Sequence, residues 1–250
     1  MADFDRRVSP FAAARAETGV IDQGLRSYML QVYNYMAIGL LITGAASIGM
    51  FKLAFVDTGA GIARTALGDA LFSGPMLWVV MLAPFALVLV LSFGIQKMSV
   101  ATAQLTFWVY SALMGLSLTT IFVVYTAQSI TQVFFITAAT FGAMSLYGYT
   151  AKRDLTGFGS FLFMGLIGII IASIVNMFIG SSALGFAISI LGVLIFVGLT
   201  AYDTQKIKEM YSVNDDSTLA GRKAIMGALT LYLDFINLFL MLLRLFGDRR

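Results

Sequence analysis

Five long stretches of the chain, residues 32–51, 75–96, 104–125, 131–150 and 157–180, contain no Asp, Glu, Lys or Arg. At 1.5 Å rise per residue, about twenty helical residues cross the roughly 30 Å hydrocarbon core of a bilayer. A bundle in water needs charged outer faces, and helices without them have to face lipid. Two further apolar runs, 182–203 and 224–246, bring the predicted spans to seven. A transmembrane β-barrel is excluded, because its strands read as short alternating segments rather than continuous apolar runs. The predicted fold class is an all-α membrane protein of seven transmembrane helices. Composition agrees, with 59% apolar and 12% charged residues. At 250 residues the chain divides into a polar tail, 1–27, and one membrane domain, 28–250.

The cations set the expected orientation. Of the 16 Lys and Arg residues, eleven fall in the tail and in the segments holding Lys97, Lys152 and Arg153, and Lys206, Lys208, Arg222 and Lys223. Lys52, Arg64, Arg244, Arg249 and Arg250 fall on the other side. The excess predicts a cytoplasmic N-terminus and an outer C-terminus. Basicity therefore reports topology, and no basic run with interleaved aromatics points to nucleic acid. Nothing in the tail resembles the apolar core of a cleavable signal peptide. The sequence contains neither Cys nor His. Disulfides, thiol nucleophiles and imidazole metal sites are thereby excluded, and a pH response near neutrality has to come from a perturbed carboxylate or Lys.

One carboxylate, Asp234, lies deep inside an apolar span, where an ionised Asp costs about 2.5–3.5 kcal/mol and usually turns toward a bundle interior. On a helical wheel it shares an arc with Gly227, Thr230, Asn237, Met241 and Arg244. A second acid, Asp203, closes the sixth span, one turn before Lys206. The short intervening segment makes the sixth and seventh helices antiparallel neighbours. Should the acids meet, both cannot ionise cheaply, and the pair becomes a latch that is closed while it shares a proton and splayed when both carboxyls are charged. A doubly charged pair also attracts calcium, which prefers oxygen ligands, so Asp203 and Asp234 are the candidate metal-contacting residues; no resident cofactor is expected. The plainer readings are a structural, hydrogen-bonded Asp234 and an interfacial Asp203 neutralised by Lys206. Small residues at four-residue spacing, Ser111-Gly115-Thr119, Ala138-Gly142 and Ser181-Gly185-Ser189, predict close helix contacts. Asn176 is expected to hydrogen-bond between helices.

Tyr202-Asp203, Leu231-Tyr232-Leu233-Asp234-Phe235-Ile236-Asn237-Leu238-Phe239 with Leu243-Arg244, Met114-Gly115-Leu116-Ser117-Leu118-Thr119, and Lys152-Arg153-Asp154-Leu155-Thr156 together resemble the Bax inhibitor-1 family, most closely its bacterial YccA-like branch. The resemblance covers nearly all of the chain after the tail. It implies a seven-helix fold with the last helix central and surrounded by the other six, a di-aspartyl proton sensor at Asp203 and Asp234, and residence in a bacterial inner membrane. It also implies a pH-dependent calcium leak, with protection against stress-induced death in eukaryotic members. A basic latch on the second helix is implied too, but residues 75–96 contain no Lys or Arg, leaving Lys206 or Arg244 to substitute.

Three functions follow as expectations. The first is a calcium leak gated by the Asp203–Asp234 pair, with Thr230, Asn237, Arg244 and Lys206 as the supporting polar stripe. The second is a non-conducting regulator or substrate of a membrane-anchored ATP-dependent protease that engages the polar tail. The third, an intramembrane aspartyl protease, is disfavoured: those enzymes carry Gly-x-Gly ahead of the second aspartate, and Leu231, Tyr232 and Leu233 stand there. The chain is therefore not expected to be an enzyme.

Overall fold

The computed structural model describes residues 10–59 and 61–250, with side chains from Gln23 onward. Nine helices occur among the described residues: α1 (Pro10–Ala54), α2 (Ala66–Phe72), α3 (Gly74–Gly94), α4 (Val100–Leu118), α5 (Ile121–Val124), α6 (Ala127–Thr150), α7 (Thr156–Ile179), α8 (Ser182–Glu209) and α9 (Ser217–Phe246). Seven segments are long and apolar enough to cross a membrane, and they match the seven predicted spans in order. The helix of the first span extends back into the polar residues 1–27, since α1 begins at Pro10, while residues 1–9 lie outside the described residues.

The first span is much longer than its apolar run because polar residues from Pro10 onward extend the same helix. After it comes a feature that hydropathy does not reveal, a hairpin of β1 (Phe55–Asp57) and β2 (Ile62–Arg64) followed by α2. Thr65 caps α2 by accepting a bond from Gly68 N at 3.2 Å, and its hydroxyl donates to Leu53 O at 2.8 Å, pinning the hairpin to the end of α1. Pro84 lies inside α3. The third predicted span is interrupted near Thr119, where α4 gives way to α5. The last residues of the chain return to this turn: Thr126 N donates to Asp248 O at 3.1 Å and Arg250 N to Val124 O at 3.0 Å. At the other end of the bundle, Thr156 N donates to the Asp154 carboxylate at 2.8 Å as α7 begins, and hydrogen bonding from the Thr156 hydroxyl, together with this N–H, holds the Asp154 carboxyl below its ordinary range.

The last helix is the centre of the bundle. Two thirds of its most apolar window is buried, more than in any other span, and it packs on α1, α4, α6 and α8. The surround differs from the expected six, since α3 packs mainly on α4 and α7 on α8, both as outer helices. They accordingly turn large apolar groups outward to lipid, with Phe93 of α3 and Phe178 of α7 each 82% exposed.

Small residues set the helix separations. Gly115 of α4 lies against the Thr43 carbonyl and Ala46 of α1, and Gly148 of α6 against the Ala201 carbonyl of α8. The Ser111-Gly115-Thr119 row is thus a real seam. Gly142 is not, because a Cβ there would meet nothing within 4 Å. Asn176 makes no bond between helices in its own span; its Oδ1 accepts from Ser181 N at 3.0 Å and closes the turn between α7 and α8.

The core itself is aromatic. Phe107 and Tyr110 of α4 meet Tyr232 of α9 edge to face, at centroid distances of 5.8 and 5.4 Å. The Tyr232 hydroxyl lies 2.6 Å from Thr43 Oγ1. Since Thr43 spends its one proton on the Gly39 or Ser111 carbonyl, both 2.9 Å away, Tyr232 is the donor. Tyr232→Phe removes this bond with little loss of packing and is expected to cost about 1 kcal/mol, read as a small drop in melting temperature.

Candidate functional site

The polar arc of α9 becomes the wall of a cleft. Thr230, Asp234, Asn237 and Met241 line one side, Tyr202, Asp203 and Lys206 of α8 another, and α7 with Phe85 of α3 completes it. The cleft measures ≈ 960 Å³. Along α7 its lining runs from Gly159 to Ile174, which at the helical rise is about 22 Å of the roughly 30 Å membrane core. At its far end Met241 packs against Gly192 of α8, so that side chain marks where the open space stops.

Asp203 and Asp234 both line this cleft, brought together from neighbouring helices. Counting along the chain alone sets them at different depths, because Asp203 lies six residues before the end of α8 and Asp234 seventeen after the start of α9. The resolution is that α9 starts well beyond the end of α8. Lys223, a turn and a half into α9, reaches back to donate to Met210 O at 2.9 Å and pairs with Asp215 at 2.6 Å. The first turns of α9 therefore project past α8 and bring Asp234 level with Asp203.

Asp234 is 5% exposed, and no protein donor reaches its Oδ2. Ionised carboxylates are acceptors only, so a hydrogen bond between the two acids needs a proton on one of them. Other charge in the cleft is sparse. Among its lining residues α3 and α7 contribute no ionisable group, and Lys206 is the one cation. Its Nζ lies 5.8 Å from the centre of the Tyr202 ring, and that ring in turn lies on Gly159 of α7. Thr230 donates to Met226 O and Asn237 Nδ2 to Leu233 O, so both satisfy their own helix while presenting oxygen to the cleft wall.

Arg244 departs from the expected stripe. The wheel puts it on the correct face, but it lies exposed in the last turn of α9, beyond Met241, and does not line the cleft. Of the two replacements for a basic latch, only Lys206 is at the site.

The expected calcium contact can be weighed against the donors present. Calcium takes six to eight oxygens. Among the described residues no group of three or more acidic side chains forms, so two carboxylates with Thr230 and Asn237 suit a passing ion rather than a held one.

One residue essential to this geometry is not visible from the sequence. Gln205, two positions after Asp203 and 4% exposed, clasps the backbone between α6 and α7: its Oε1 accepts from Leu155 N at 2.8 Å and its Nε2 donates to Arg153 O at 2.9 Å. Lys208 adds a bond to Tyr149 O at 2.9 Å. The Lys152–Thr156 motif is thus the anchor of the α8 end that carries Asp203. Gln205→Ala leaves the buried Leu155 N–H without a partner, and is expected to lower stability by about 1–3 kcal/mol, measured by thermal unfolding in detergent.

Fold and site together define an integral multi-pass membrane protein with a pair of acids in a cleft beside its central helix. The family model described as inhibitor of apoptosis-promoting Bax1 matches residues 25–250, and the chain belongs to this Bax inhibitor-1 family. It is 53% identical over 230 residues to the inner membrane protein YbhL of Escherichia coli K12, covering 91% of this chain and 94% of that one. Similar relatives occur in Rickettsia prowazekii, 48% identical over 229 residues with 92% of each chain covered, and in Borreliella burgdorferi, 48% over 225 residues with 89% and 92% covered.

Proposed function

We propose that the protein is a proton-gated cation leak of the inner membrane, with calcium as the ion that passes. The observation that carries this reading is that Asp203 and Asp234, from neighbouring helices, line one cleft that runs much of the membrane thickness. While the pair shares a proton it carries a single negative charge and bridges α8 to α9. Losing that proton leaves two like charges in a poorly hydrated site, which pushes the helices apart and lines the cleft with negative charge that attracts a divalent cation. Lys206 at the same wall limits that charge. The excess of Lys and Arg on that side supports a cytoplasmic position for the turn between α8 and α9, and in that orientation the pair senses cytoplasmic pH.

Vesicles reconstituted with the protein and loaded with calcium test the reading. Efflux is expected to be low in mild acid and to rise with pH; efflux at the level of protein-free vesicles at every pH would contradict it. A regulatory role toward a membrane-anchored ATP-dependent protease rests on the polar N-terminal residues alone. It predicts that deleting residues 1–27 changes turnover or partner association while calcium efflux stays at background.

A further inference from the structure

A second cleft, away from the acids, opens between α1 and α6 and measures ≈ 670 Å³. It runs from Arg26 to Ala37 along α1 and from Tyr149 to Ala138 along α6. Eleven helical steps on each wall make it about 16 Å long, half of the roughly 30 Å core, which is the depth of one leaflet. Its charged end and its apolar end are distinct. Arg26 lines the mouth, and Lys208 reaches the Tyr149 carbonyl beside it, so two cations on different helices flank the entrance. Above them the lining is mostly Met, Leu, Ala and Phe side chains.

The polar groups in the wall are already satisfied. The Tyr33 hydroxyl lies 2.6 Å from Ser145 Oγ, which lies 3.0 Å from Thr204 Oγ1, and Thr204 donates to Thr200 O at 2.7 Å. Such a wall makes no demand for water. Midway along it Gly142 faces open space. A groove of leaflet depth, apolar inside and basic at its headgroup end, has the form in which basic pockets between transmembrane helices hold anionic lipid.

We propose that this cleft binds one anionic phospholipid, its phosphate at Arg26 and Lys208 and an acyl chain between α1 and α6. The floor of the groove is Phe235, the neighbour of Asp234 on α9, so a bound chain touches the helix that carries the acid. The binding stands whether or not the acids gate a leak.

The test is lipid retention. Protein extracted from bilayers of mixed phosphatidylglycerol and phosphatidylcholine is analysed by native mass spectrometry. Wild-type protein is expected to retain one phosphatidylglycerol in preference to phosphatidylcholine. Gly142→Leu, whose added side chain enters open space, is expected to abolish retention without lowering the melting temperature. Arg26→Gln, at an exposed position, is expected to weaken it about fivefold. Equal retention of the two lipids would overturn the proposal, as would retention unchanged in both variants.

Discussion

Asp234→Asn is expected to abolish the pH dependence of calcium efflux and hold it at the acid level. Under the proposed gating the Asp203–Asp234 contact needs a proton, so raising the pH removes the bond and replaces it with repulsion. Two unit charges about 4 Å apart at an effective dielectric of about 20 repel by about 4 kcal/mol, enough to shift a two-state equilibrium several hundredfold. Asparagine is neutral at every pH, and its amide N–H can donate to the Asp203 carboxylate without a shared proton. The α8–α9 contact then persists under all conditions, and efflux at alkaline pH is expected to fall by about tenfold or more relative to wild type. The sign matters: if charge at 234 were needed only to attract the ion, the variant would lose flux but keep a pH slope from Asp203. A slope that survives in Asp234→Asn would show that the pair is not the sensor.

Gly148→Leu is expected to prevent the bundle from assembling. A Cβ at 148 would run into the Ala201 carbonyl oxygen, and the obstacle is backbone, which cannot rotate aside as a side chain can. Relief requires α6 and α8 to separate, and overpacking of this kind costs about 1–3 kcal/mol or more. The same movement would pull apart the bonds from Gln205 and Lys208 that anchor the Asp203 end of α8. Size-exclusion chromatography in detergent is expected to show aggregated protein, with no folded fraction or one of sharply lowered melting temperature. The matched control is Gly142→Leu six residues earlier on the same helix, where the space is open. A wild-type melting temperature for Gly148→Leu would contradict the packing account of this interface.

The parts of the structure legible in the sequence are those where a single physical cost dominates. An uncharged run of membrane length has one stable outcome, and so all seven spans were readable. Asp234 was readable for the converse reason, since a carboxyl in such a run has to be turned inward. The wheel correctly grouped Thr230, Asp234, Asn237 and Met241 on the face that became the cleft wall. It misplaced Arg244 because a wheel reports angle and not depth, and the cleft ends at Met241.

Depth also hid how the acids meet. Counting from the apolar runs leaves Asp234 about two turns too deep, and only the pairing of Lys223 with Met210 and Asp215 shows that α9 begins beyond the end of α8. The hairpin at 55–64 went unread because three-residue strands carry no usable period. Gln205 went unread because one buried amide holding two backbone groups of a distant turn leaves no spacing pattern. Spacing alone suggests that Asn176 bridges helices, whereas it caps a turn, a distinction that depends on where Gly180, with its left-handed φ of 68°, ends the helix.

The central claim is most directly tested by the separation between the Asp203 and Asp234 carboxyl groups in structures determined in acid and in alkaline buffer. A separation within hydrogen-bonding range in acid that widens in alkali, with α8 and α9 parting around it, is the predicted result. An identical carboxyl contact in both buffers would contradict it.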